Sequence, residues 1–136
     1  MPSKAAATDT STVRLIHLSL VLGVLLFLAV ALFVRTGPVA ITDPRLPTLL
    51  VVAGVPILIL AQVLRSRIAP RLAGEPSAVW WQANLTRAIL VWSLVEAASL
   101  LGIVGFWLTG NRLPLALTAA GVVLFMVSAP GRLAAD

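Results

Sequence analysis

The stretch AILVWSLVEAASLLGIVGFWL, residues 88–108, decides the fold of this chain. A helix that crosses a bilayer needs about 20 mostly apolar residues, and this stretch supplies them. Glu96, near its middle, is its only formal charge. An ionisable group at that depth costs about 3 kcal/mol on insertion scales, so by default it marks a functional site. The stretch therefore predicts a membrane span with a candidate site inside it.

Three further apolar runs lie at residues 15–34, 46–64 and 113–129. Of the 136 residues, 60% are hydrophobic and 11% are charged, whereas a soluble domain carries about 25% charged residues. We therefore predict an all-α membrane protein. Its four transmembrane helices would form a single domain over residues 13–136, after a disordered polar tail at residues 1–12.

Glycine and proline residues separate the predicted spans. Gly110 and Asn111 predict a left-handed helix stop, and Pro114 predicts the start of the next helix. This turn is so short that the third and fourth spans must form an antiparallel hairpin. Pro56 lies inside the second span and is expected to bend it. The four spans are thus predicted to form an antiparallel up-down bundle.

Basic residues are unevenly divided between the two ends of the predicted bundle. Seven lie on the side of the termini and of the long connection between the second and third spans: Lys4, Arg14, Arg65, Arg67, Arg71, Arg87 and Arg132. Three lie on the opposite side: Arg35, Arg45 and Arg112. Because cytoplasmic loops carry the excess of basic residues, both termini are predicted to be cytoplasmic. Trp80 and Trp81 would then be lipid anchors at the cytoplasmic interface, with Trp107 near the outer one.

Composition also excludes several classes of function. Cysteine is absent, and one histidine with five acidic residues leaves too few ligands for a metal centre. The net charge of +5 lies at the ends of the apolar runs, so it indicates topology rather than nucleic-acid binding. We expect no enzyme, no cofactor and no nucleic-acid partner. The excess of arginine over lysine, with abundant Ala, Leu and Val, indicates a bacterial protein of the inner (plasma) membrane.

Helical spacing decides which side chains Glu96 can meet. Ser93 and Ser99 lie three residues away on either side, so their hydroxyls are expected to bracket the carboxyl group. A protonated carboxyl group can donate a hydrogen bond to one hydroxyl and accept one from the other. No cation of the chain is expected at the same depth. The partner of Glu96 is therefore predicted to be either a proton or a group of another subunit.

Small residues at helical spacing predict where the spans pack against each other. Faces with small residues four positions apart let helices approach closely in lipid. The predicted packing positions are Ala98, Gly102 and Gly105 on the third span, Gly54 on the second, and Ala116 and Ala120 on the fourth.

The run from Arg87 to Gly105 resembles the carboxylate helix of the rotor-ring proteolipids of ATP synthases and vacuolar-type ATPases. In both, an arginine-flanked helix carries a Leu-x-Glu-Ala-x-x-x-x-Gly stretch. The resemblance covers one span of four and implies that Glu96 binds a proton and that Gly102 is a close-packing position. The partner helix of that family carries a Gly-x-Gly-x-Gly repeat, whereas the second span here has Gly54 alone. The whole chain resembles small uncharacterised four-span bacterial membrane proteins, which implies a topology and no activity.

Two functions of different classes fit the sequence. In the first, the chain is a structural or accessory subunit of a membrane assembly, and Glu96 makes an interhelical contact or a contact with a partner in a homo- or hetero-oligomer. In the second, Glu96 takes up and releases a proton, either in a component like the rotor proteolipids or in a proton-coupled transporter. A separate candidate site consists of Arg65, Arg67 and Arg71, which would bind anionic lipid headgroups in the bilayer.

Overall fold

The computed structural model describes residues 10–34 and 41–134. Within these ranges the chain is helical and contains no strand, which confirms the predicted all-α fold. The helices are α1 (Thr10–Val34), α2 (Leu46–Ser66), α3 (Ser77–Thr109), α4 (Leu115–Val127) and α5 (Pro130–Leu133). By length and composition, α1, α2 and α3 are able to cross a membrane.

Helix α1 buries only one narrow stripe of its surface. Val13, Val24 and Ala31 are buried, and their spacing places them on the side that packs against α3. Large apolar side chains cover the other sides, and Phe33 is 84% exposed. Such a helix fits a lipid environment, where exposed apolar side chains carry no penalty. Residues 10–12 of the predicted disordered tail belong to α1, and the rest of that tail lies outside the described residues.

Helix α3 is much longer than the predicted third span. It has 33 residues, which is about 50 Å at a rise of about 1.5 Å per residue. It begins at Ser77 rather than near residue 88, so the connection after α2 shrinks to residues 67–76. Polar residues interrupt the hydropathy signal of the added turns, but their apolar face is buried in the protein.

The two tryptophans in the added turns of α3 are part of the core. Trp80 is 2% exposed and Trp81 is fully buried, so their predicted role as lipid anchors is wrong. The indole Nε1 of Trp80 donates a hydrogen bond to the carbonyl oxygen of Ala69 at 3.0 Å. Asn84, one turn later, donates to the carbonyl oxygen of Trp80 at 3.0 Å. The first of these hydrogen bonds joins the start of α3 to the preceding connection, and the second lies within α3.

Helix α4 is shorter than the predicted fourth span. Its 13 residues extend over about 20 Å, less than the hydrocarbon core of about 30 Å. It ends at Val127, and Ala129 adopts an extended backbone with ψ of 145°. A proline disfavours helical geometry in the residue before it, and Pro130 therefore accounts for this break. Of the four predicted spans, three have helices of membrane-crossing length and the fourth is a shorter apolar helix.

Helix α3 lies at the centre of the structure and packs against α1, α2 and α4. The amide of Ile41, before α2, donates to the carbonyl oxygen of Leu108 near the end of α3 at 3.1 Å. The hydroxyls of Thr10 and Ser77, at the starts of α1 and α3, lie 3.2 Å apart in a hydrogen bond. Glu96 thus belongs to the helix that α1, α2 and α4 all contact.

Candidate functional site

Glu96 lies in the central part of α3, where α1 crosses it. Its side chain is half-buried. A Cβ atom added at Gly23 of α1 would lie 3.9 Å from Glu96 Oε1, so the carboxylate rests directly over this glycine. Among the described residues, none forms a hydrogen bond or an ion pair with Glu96. The structure therefore holds a carboxylate at a helix contact without giving it a polar partner from its own described chain.

The two predicted serine neighbours of Glu96 have different surroundings. Ser99 is fully buried against α4, and its hydroxyl donates to the carbonyl oxygen of Val95 at 2.7 Å. Its own carbonyl oxygen accepts a hydrogen bond from the hydroxyl of Thr118 at 2.9 Å. Ser99 is thus engaged in the contact between α3 and α4. Ser93 is exposed. Of the two serines, Ser93 alone therefore lies on the exposed side of α3 next to Glu96.

Small exposed residues surround the carboxylate of Glu96. Gly23 on α1, and Ser93 and Ala97 on α3, are all exposed. Ser19 is exposed one helical turn before Gly23 and therefore lies on the same face of α1. With no large side chain at these positions, another helix can approach the carboxylate closely. We call Ser19, Gly23, Ser93, Glu96 and Ala97 the carboxylate seam.

His17 forms the second polar feature at the contact between α1 and α3. Its Nε2 atom is 3.1 Å from the carbonyl oxygen of Phe125 in α4, in a hydrogen bond. The imidazole makes edge contacts with the rings of Trp92 and Phe125, at centroid distances of 5.0 and 5.7 Å. Trp92 precedes Glu96 by one turn, which is about 6 Å along the helix. His17 therefore lies about one to two helical turns from Glu96 in depth and joins α1 to both α3 and α4.

The aromatic contacts continue from His17 toward the start of α3. The Trp92 indole nitrogen donates to the carbonyl oxygen of Ser128 at 2.9 Å. Its ring centroid is 6.3 Å from that of Trp81, which in turn is 4.8 Å from that of Trp80. The indole nitrogen of Trp81 is buried and has no hydrogen-bond partner among the described residues. Sequence reasoning missed this cluster, because no pattern in the sequence places His17 of α1 beside Trp92 of α3.

The predicted packing glycines lie at tight helix contacts. Gly54 of α2 is buried against Leu117 of α4, whose Cδ2 atom would be 2.9 Å from an added Cβ. At Gly102 an added Cβ would lie 2.5 Å from the carbonyl oxygen of Pro114. At Gly105 it would lie 2.8 Å from the Cβ of Pro114. Ala98, on the same helix as these two glycines, is fully buried.

The two alanines predicted to pack from the fourth span are exposed instead. Ala116 and Ala120 face outward, and the buried face of α4 is formed by Leu117, Thr118, Gly121 and Phe125. The difference is one residue in register. It arises because Gly121, rather than Ala120, faces Ser99 of α3. A Cβ added at Gly121 would lie 3.2 Å from the Cβ of Ser99.

The three arginines of the predicted lipid-headgroup site differ in environment. Arg65 is half-buried, and its Nη1 atom donates to Gln62 Oε1 at 3.5 Å. Arg67 is exposed and Arg71 is half-buried. The pocket beside Arg65 is lined by Arg132 from the end of the chain and includes neither Arg67 nor Arg71.

The helices and the site together fit an α-helical membrane protein with three candidate spans and an unpaired acid at a helix contact. Comparison with protein-family models, with curated proteins and with solved structures finds no match for this chain. The resemblance of the third span to rotor proteolipids stays a prediction, and any function must be argued from the residues themselves.

Proposed function

We propose that this chain is a small structural or accessory subunit of a membrane assembly, and that Glu96 is the group through which it contacts a neighbouring chain. The observation that carries this proposal is the half-buried carboxylate with no polar partner among the described residues. An unsatisfied polar group in hydrocarbon costs several kcal/mol. A cation or a hydrogen-bond donor of a second subunit would remove that cost.

The carboxylate seam supports a partner helix as the source of that group. Ser19 and Gly23 are four residues apart on α1, the spacing at which small residues allow close helix approach in lipid. Ser93 and Ala97 repeat the same spacing on α3. A helix that lies along the seam would bring its backbone close to both and place a donor beside Glu96. Such a partner would be a second copy of the chain or a different membrane protein.

The proposal includes an orientation in a bacterial inner membrane. The helices would form an antiparallel up-down bundle with both termini in the cytoplasm, and α4 with its flanking turns would make the fourth crossing. Arg65 and Arg132 line one pocket, which supports a common end for the basic residues near the C-terminus and the connection after α2. The excess of basic residues at that end favours the cytoplasmic side.

An assembly measurement on Glu96 variants tests the proposal. Tagged protein in mild detergent would run on blue-native gels as a complex larger than the single chain. Glu96→Ala should remove that complex. Glu96→Gln keeps a hydrogen-bonding side chain without the charge, so retention of the complex in this variant would indicate a hydrogen bond and its loss would indicate an ion pair. Glu75→Ala is the matched control, because Glu75 accepts a hydrogen bond only within the connection, from Leu72 N at 3.2 Å.

The result that refutes the proposal is a wild-type protein that migrates as a single chain, or a Glu96→Ala variant that assembles like the wild type. To separate assembly from folding, each variant is also compared by circular dichroism in the same detergent.

A second function, proton binding by a transport component, is favoured by a different observation. His17 and Glu96 are two ionisable groups along the same contact between α1 and α3. Gly23, which meets Glu96, follows His17 by six residues, or about 9 Å along α1. Groups arranged in this way occur in proton relays of membrane proteins. In proteoliposomes with an imposed pH gradient, this function predicts proton flux that Glu96→Gln abolishes and His17→Phe slows. Absence of flux in the wild type would refute it without affecting the assembly proposal.

A further inference from the structure

An apolar groove runs along the outer side of the protein between α2 and α4. Its volume is about 540 Å³. Val55 and Ile59 form its wall on α2, and Ala119, Ala120 and Val123 form its wall on α4. The wall of the groove on α4 is low because Ala119 and Ala120 have small side chains. The groove is open along its length to the surroundings of the helices.

A basic pocket lies along the same face of α2 as the groove, because Ser66 of the pocket follows Gln62 of the groove by four residues. Gln62 lies at one end of the groove, and Arg65 follows it by one turn on α2. This pocket has a volume of about 260 Å³ and is lined by Arg65, Ser66 and Arg132 among others, and none of its lining residues within 10–34 and 41–134 is acidic. The Nε atom of Arg65 is buried and has no hydrogen-bond partner in the part of the chain that the structure describes. Two arginines from different parts of the chain, Arg65 and Arg132, thus line one small pocket.

We propose that this groove and pocket form a binding site for one anionic phospholipid. The phosphate would lie between Arg65 and Arg132, since guanidinium groups bind phosphate oxygens through paired, charge-assisted hydrogen bonds. One acyl chain would occupy the apolar groove. The site is separate from the carboxylate seam and does not depend on the role of Glu96.

The dimensions of the site fit a lipid of one leaflet. Arg65 and Val55 are ten residues apart on α2, which corresponds to about 15 Å along the helix. Half of a hydrocarbon core of about 30 Å is also about 15 Å. A phosphate held at Arg65 would therefore place its acyl chain beside Val55 near the bilayer midplane. A free phosphate ion would use only the pocket, whereas a phospholipid uses both parts.

Native mass spectrometry of the full chain released from detergent micelles tests the site. The probes are dioleoyl phosphatidylglycerol, dioleoyl phosphatidylcholine with the same chains, and inorganic phosphate. We expect one phosphatidylglycerol to bind the wild type at least tenfold more tightly than phosphatidylcholine, and phosphate alone not to compete at equal concentration. Arg132→Gln should weaken phosphatidylglycerol binding about fivefold, as expected for the loss of one basic contact to an anionic lipid.

Matched variants separate the site from general charge attraction. Arg67→Gln removes the same charge from an exposed neighbour, so it should change the affinity by less than about twofold. Ala120→Phe should fill the groove and weaken both lipids alike. Arg65→Lys keeps the positive charge but loses the planar, two-pronged contact to phosphate, so it should weaken the binding of phosphatidylglycerol.

The proposal is overturned if Arg132→Gln binds phosphatidylglycerol like the wild type, or if Arg67→Gln weakens binding equally. Equal binding of the two wild-type lipids would overturn the role of the arginines. If inorganic phosphate competes with phosphatidylglycerol and Ala120→Phe has no effect on lipid binding, the pocket binds a free anion and the lipid proposal is overturned.

Discussion

Replacing Gly102 with alanine should loosen the contact between α3 and α4. The added Cβ would lie 2.5 Å from the carbonyl oxygen of Pro114 and 2.6 Å from Thr118 Oγ1. The first of these is a backbone atom, so the clash cannot be relieved by a rotamer change and α4 must shift. Overpacking of this kind typically costs about 1–3 kcal/mol. The higher helix propensity of alanine returns about 1 kcal/mol, which leaves a net loss of up to about 2 kcal/mol.

Two other glycines provide a graded comparison for Gly102. At Gly105 the nearest atoms to an added Cβ are side-chain atoms of Pro114 and Leu50, at 2.8 and 2.9 Å. Leu50 can move, so Gly105→Ala should cost less. At Gly23 the only close atom is Glu96 Oε1 at 3.9 Å, an ordinary contact, so Gly23→Ala should be neutral or slightly stabilising.

Equilibrium unfolding in mixed detergent, followed by tryptophan fluorescence, measures this series. The predicted order of destabilisation is Gly102→Ala, then Gly105→Ala, then Gly23→Ala. A Gly102→Ala variant as stable as Gly23→Ala would refute the close approach of α4 to α3 at Pro114.

Two further predictions concern the buried polar groups of α3 and are checked by the same unfolding measurement. Trp92→Phe removes the donor to the Ser128 carbonyl oxygen, which costs about 1–3 kcal/mol of stability when the acceptor stays buried. Trp81→Phe removes an indole nitrogen that has no partner among the described residues, so it should cost less. Equal losses of stability in the two variants would contradict this assignment. Gly121→Ala should force Ser99 to move, since the Ser99 Cβ would be 3.2 Å from the added atom, and Ser99→Ala should recover part of the lost stability in the double variant. Strict additivity of the two changes would show that these residues do not touch.

The local signals in the sequence predicted the ends of several helices well. Gly110 ends α3 in a left-handed conformation with φ of 68°, as predicted from its position after the apolar run. Helix α2 begins at Leu46, as predicted. In both cases the cause is a residue whose backbone preference is intrinsic, so neighbours in the sequence suffice to find it.

Tertiary contacts decided the features that the sequence could not give. The first turns of α3 are helical because Trp80 and Trp81 are buried against other parts of the chain, while the hydropathy of those turns is interrupted by polar residues. The packing face of α4 depends on which residue meets Ser99, and a shift of one position moves Ala120 to the outside. Such registers are set by the fit of two helices rather than by either helix alone.

The candidate site was predicted in part. Glu96 was identified because a single charge in an apolar run is visible in any hydropathy scan. Its neighbours were harder to predict, because Ser99 turns toward α4 and the residue over the carboxylate, Gly23, comes from α1. The contact between His17 and Trp92 was not predicted, because it depends on how far α1 is shifted along α3, which the sequence does not show.

Photo-crosslinking from the carboxylate seam tests the central claim most directly. A photoreactive amino acid replaces Ala97, which is exposed beside Glu96, and a control replaces Val52, which is 61% exposed on α2. If Glu96 meets a neighbouring subunit, irradiation of native membranes should give a discrete crosslinked product from position 97. That product should disappear when Glu96→Ala is added and should be absent from position 52. The account would be contradicted if position 97 gave only the uncrosslinked chain, or if the crosslinked product persisted unchanged in the Glu96→Ala variant.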